Sequence, residues 1–217
     1  MKGAIIAVAG LAASFAVFAA QNHVPEKFDG SFATIRPKAA NHNHVLVVNV
    51  AGAISDADWP LVVNYAASRI PISIYTNSLP ASPVQDVLSG QVSLQSAVQD
   101  PKAVVVVFVE RLPSGVNSIS VPCRFSRVDV GWLESDKPVH AVLRDRQSKM
   151  ILKGIAMACG AGATIEPMCS LFYGSRTLDG MDKTNITISP MAYFPMVEIL
   201  RALGGDEAVS PVETDEE

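Results

Sequence analysis

The residues best placed to do chemistry lie between Arg146 and Cys169. Arg146, Lys149, Lys153 and Met157 recur at spacings of three and four, so on a helix they share one face. Three cations on one face suit an anion such as a carboxylate or sulfate. The competing reading, which the sequence favours, has them solvated or paired with Asp145, Glu134 or Asp136. Further along, Gly160 and Gly162 permit a sharp exit, and Pro167-Met168-Cys169 makes a turn.

Other reactive side chains are scattered. Cys123, His140, Glu110 and Asp129 would suit hydrolytic chemistry if two of them came within hydrogen-bond reach. His42 and His44 form an HxH pair, which binds metal only when a third ligand converges. Two polar residues at a strand entrance is the simpler account of that pair. Cys159 and Cys169, ten residues apart across a Gly-rich bend, are the candidate disulfide, with three unpaired buried thiols as the alternative.

The elements that must position these groups follow from periodicity. Val45–Val50 reads as a buried strand. A helix follows, capped by Ser55 or Asp56, with Pro60 in its first turn and apolar residues from Trp59 to Ile70. Ile72–Tyr75 is a short strand. Ser82-Pro83 opens a second helix that Gly90 weakens or splits. Ala103–Val109, the most apolar run, is the expected central strand. Ile119–Val130 carries short β patterns, with Phe125, Val128 and Val130 lining an edge, and Val139–Leu143 reads as another strand. Helices are expected over 145–159 and 191–203, the second closed by Gly204-Gly205. Strands alternating with helices, then consecutive strands, predict an α/β domain whose mixed sheet has an antiparallel edge.

Laid against the H-E-x-x-H-x-x-G-x-x-H helix of metzincin metalloproteases, with its Gly at Gly160, this stretch resembles the site without its working parts. Lys153 falls at the first His, Gly154 at the Glu, Met157 at the second His and Ala163 at the third. The surroundings look most like archaemetzincins. Leu143-Arg144 leads into the helix, Cys169-Ser170-Leu171 stands where that branch has Cys-x-Met, and Asp179 and Asp182-Lys183 follow. Ile188-Ser189-Pro190-Met191 replaces a Cys pair, so the branch's second zinc site would be lost too. The resemblance covers element order from Val45 to Met191. It implies a zincin-like mixed β-sheet packed against helices, one of them a former active-site helix. A Lys ammonium repels a dication, a Met thioether is a poor zinc ligand, Ala163 offers no donor and Gly154 no carboxylate to activate water. The resemblance therefore implies a pseudo-peptidase with no cofactor, binding a peptide or a partner protein. A hydrolase with relocated chemistry, or metal held elsewhere, is the alternative.

Composition sets the frame around that domain. Residues 1–20 combine Lys2, an Ala-rich apolar run from Ala4 to Val17 and Val17-Phe18-Ala19, which reads as a cleaved signal peptide. A retained anchor helix is the alternative; after cleavage no stable membrane insertion is expected. Residues 21–44 form a polar arm, 45–204 a single domain and 205–217 an acidic disordered tail. Export to the periplasm or outside the cell follows from the signal. The net charge of −4 belongs mostly to the tail, and the near-neutral body gives no footprint for nucleic acid. Ala51-Gly52-Ala53 is too sparse for a nucleotide-phosphate loop.

Overall fold

A computed structural model describes residues 43–70, 74–112, 118–120, 124–171 and 176–204. The proposed signal peptide, most of the arm, His42, Cys123 and the acidic tail lie outside these residues.

Strand β1 (His44–Val50) is followed by helix α1 (Trp59–Ala67), strand β2 (Ile74–Leu79), two short helices α2 (Val84–Leu88) and α3 (Leu94–Val98), and strand β3 (Ala103–Glu110). Strands β4 (Ser118–Ser120) and β5 (Phe125–Asp129) come next, then helices α4 (His140–Ala158), α5 (Leu178–Asp182) and α6 (Pro190–Ala202). The sheet order is β2-β1-β3-β5-β4. β2, β1, β3 and β5 run parallel, and β4 pairs antiparallel with β5 on its outer side.

Both faces of the sheet are covered, as the continuous apolar strands require. Val45, Val47, Val105, Val107 and Val128 point toward α1, α4 and α6. Their alternating neighbours Leu46, Val48, Val106, Phe108 and Phe125 point toward α2 and α3. The product is a three-layer α/β/α domain with β3 at its centre.

Several expectations are corrected. Residues 140–143 are the first turn of α4, not a strand; only Val139 stays extended, as the N-cap. The run 139–143 is too short for its apolar pattern to choose a period, and the helix behind it extends upstream. Arg144 on that first stretch pairs with Asp58, which stands at the N-cap of α1. Asp58, not Ser55 or Asp56, therefore heads α1. The second strand runs over 74–79, later than expected. β5 lies inside the sheet, so Phe125 and Val128 line a buried strand, not an edge. Gly90 (φ +74°) does divide the second helix, and Ser93 caps its continuation by accepting the Ser96 N–H.

His44 belongs to β1 rather than to the arm. Its ring is buried, with Nε2 3.0 Å from Asp100 and its centroid 4.1 Å from the Tyr75 ring. That contact accounts for the histidine without a metal.

Candidate functional site

Helix α4 is held by the sheet on one side, by α1 through the Ser148 hydroxyl donating to Val62 O, and by α5 through Lys149 Nζ donating to Met181 O. Five consecutive polar residues, Asp145 to Lys149, are buried by this wrapping. From Asp145 to Cys159 only Lys153 and Met157 are not buried. They stand one turn apart and form the open face of the helix. These are the positions that the resemblance aligns with the first two histidines.

Gly154, aligned with the glutamate, faces the other way. A β-carbon there would lie 2.9 Å from Ser126 Oγ, 2.9 Å from Val128 Cγ1 and 3.0 Å from Val107 Cγ1. Real β-carbons do not approach that closely, so α4 rests on β3 and β5 only because residue 154 has no side chain. A larger residue at 154 would meet the sheet.

Arg146 and Lys149 are corrected as ligand contacts. The Arg146 guanidinium is buried and spends its donors on Asp136, Asp182 and Leu133 O, at 2.7–2.9 Å. Those two carboxylates hold its pKa far above the ordinary value. Lys149 Nζ pairs with Asp145 one turn earlier. The helix wheel put both cations on a face with Lys153; it could not show that α5 and the Leu133–Asp136 segment cover two of the three. Glu134, another candidate partner, pairs with Arg111 instead.

Lys153 remains at the opening. Burial and the nearby Arg176 depress its ammonium pKa, while Cys169 acts in the opposite sense. Arg176 and Cys169 thus border this side chain. Sequence reasoning missed Arg176, which sits past Cys169 and the end of the helix–turn stretch with no pattern linking it to Lys153.

Past the helix, Gly160 adopts φ +87° and turns the chain away. Ala163 is exposed, and Leu171 is fully buried in the core beside α4. The Thr164 N–H donates to Leu171 O, closing the loop between them.

Cys159 and Cys169 are separate buried thiols, which corrects the disulfide expectation. Cys169 Sγ instead accepts the backbone N–H groups of Ser189 (3.1 Å) and Leu171 (3.4 Å). Cys159 ends α4 inside the core, where burial pushes its pKa up to about 12.

Glu110 and Asp129 stand in register on β3 and β5, each held by partners of its own, and Cys123 lies outside the described residues. Glu110 is buried and accepts from Ser82 and Arg127. Asp129 accepts the N–H groups of Leu112 and Gly131, fixing the turn after β5. His140 is exposed at the start of α4. Among the described residues no three His, Cys, Asp or Glu side chains cluster in a way that could hold a metal ion. No described helix is long and apolar enough to cross a membrane.

No protein-family model matches the sequence, and no curated protein matches it. Solved structures similar in fold include two peptidases. One is a zinc-dependent peptidase from Methanocorpusculum labreanum (strain Z), at TM-score 0.57 and 13% identity over 70% of this chain and 99% of that one. The other is archaemetzincin from Methanopyrus kandleri, at TM-score 0.53 and 14% identity over 75% and 98%. This likeness is one of fold: the domain is zincin-like.

Proposed function

We propose that this chain is a binding domain built on a metzincin-like fold, in which the cleft over Lys153 and Met157 takes a peptide segment or a partner protein without hydrolysing it. The contact between Gly154 and the sheet carries the reading. In a zinc-dependent peptidase the residue aligned with Gly154 is the carboxylate that activates water. Here any side chain at that position would run into Ser126, Val128 and Val107.

The donor set agrees. Zinc needs about three N, O or S ligands. Lys153 presents an ammonium, Met157 a thioether and Ala163 a methyl group. These residues do not fit the metal, so no step runs through it. What such a fold would retain is an edge strand, here β4, to which an extended peptide can add by backbone pairing. Export is part of the same proposal and rests on the apolar run Ala4–Val17 with its small-residue cleavage site.

Elemental analysis of the purified full chain, with a casein cleavage assay in the presence and absence of a chelator, tests the reading. Zinc far below one equivalent and no chelator-sensitive cleavage are expected. One equivalent of tightly held zinc, or cleavage that the chelator stops, would overturn it.

A further inference from the structure

We propose that a second site, away from the cleft, binds a small zwitterion of the α-amino-acid class in the polar cavity between the end of α1, the buried part of α4 and residues 184–187. The cavity has a volume of about 240 Å³. That is below the range of ordinary drug-sized sites and suits a small polar metabolite. This inference does not depend on how the cleft is read.

The cavity lining carries opposite charges. Arg69, just past α1, is exposed with its guanidinium 5.4 Å from the centre of the Tyr65 ring. Among the described residues no carboxylate pairs with it. An Arg held over an aromatic ring keeps its fork of donors in one plane, the geometry that takes a carboxylate in bidentate fashion.

Asp145, which also lines the cavity, is only 6% exposed. Lys149 Nζ lies against Oδ2. Among the described residues no protein donor reaches Oδ1. A ligand ammonium at Oδ1 would make a charge-assisted contact with a carboxylate that is largely shielded from water.

Asn185 lines the same cavity. Its N–H donates to Met168 O and its C=O accepts from the Ser170 hydroxyl, so the backbone is fixed. Its carboxamide has no partner among the described residues and offers both donor and acceptor to a ligand. A simple anion would be repelled by Asp145, and a simple cation would leave Arg69 unused. A molecule carrying both charges uses both Arg69 and Asp145.

Thermal-shift and calorimetric titration of the full chain with each of the common L-α-amino acids tests the proposal. At least one should bind saturably and raise the melting temperature. Its N-acetyl and methyl-ester derivatives, each lacking one charge, should not. Arg69→Gln, a change at an exposed side chain, should weaken binding about tenfold or more, the effect of one lost charge-assisted contact. Asp145→Asn should do the same, and Arg69→Gln decides the matter if Asp145→Asn fails to fold. The proposal is overturned if no amino acid binds, if the N-acetyl form binds equally well, or if Arg69→Gln leaves affinity unchanged.

Discussion

Gly154 on α4 and Ser126 on β5 touch so closely that a β-carbon on the first would stand 2.9 Å from the hydroxyl oxygen of the second. A glycine inside a helix is worth about 1 kcal/mol less than alanine. Here the absent side chain lets a 19-residue helix lie directly on the sheet. The seam also leaves Ser126 Oγ buried without a hydrogen-bond partner among the described residues.

Gly154→Ala should therefore destabilise the domain by about 1–3 kcal/mol, the usual cost of overpacking, despite alanine's better helix propensity. Ser126→Ala alone should be neutral or slightly stabilising, because it removes an orphaned hydroxyl. Combined, the two changes should cost less than their sum. Urea denaturation of the single and double variants reads all three, and a stabilised Gly154→Ala would show that the helix has room to spare.

Arg146→Ala should cost about 3 kcal/mol, the low end for breaking a buried ion pair, since Asp136 and Asp182 keep partial access to water. Arg146→Lys should recover little, because the three donors of an ammonium cannot reproduce the five hydrogen bonds of the planar guanidinium. Chemical denaturation measures both. A near-neutral Arg146→Ala would mean that this network contributes nothing to holding α5.

The thiols of Cys159 and Cys169 should resist alkylation in the native protein. Burial pushes the first up to about 12, so its nucleophilic thiolate is scarce even in mild alkali. Iodoacetamide labelling followed by mass spectrometry should modify both rapidly in denaturant and neither without it. Rapid native labelling at Cys159 would contradict its burial, and a linked Cys159–Cys169 peptide under non-reducing conditions would contradict the free thiols.

Lys153 should make stability rise with pH in alkaline solution. Its folded pKa is depressed, first by burial and then by Arg176, from an ordinary 10.5. Below the folded value both states are charged and the burial penalty is felt in full. Between the folded value and 10.5 the unfolded chain holds the proton that the folded chain has lost, so stability increases through that window. Lys153→Met should be more stable than the wild type at neutral pH and should lack this rise. Urea midpoints across that range, identical in slope for both proteins, would count against the shift.

Much of the fold was legible because its strands are continuous apolar runs. Val45–Val50 and Ala103–Val109 could hardly be anything but buried parallel strands. Gly90 and Gly160 marked breaks that the backbone realises with positive φ. Val139–Leu143 was misread because five residues do not distinguish a period of two from one of 3.6. The candidate site was legible in part. The spacing of Lys153 and Met157 put them on one face, and that face is open. Arg146 and Lys149 share the spacing but are covered by α5, and Arg146 also by the Leu133–Asp136 segment ahead of α4.

The sequence by itself determined the layered α/β order, the spacing of Lys153 and Met157 along α4 and the glycine that ends the helix. These are local properties of residue type and periodicity. The tertiary structure alone decided which cations are spent on carboxylates, that the two cysteines stay apart, that Gly154 is a contact point with the sheet, and that Arg69 and Asp145 line one cavity. Each depends on which segments pack against α4, and pairwise contacts between distant segments leave no periodic trace in the chain.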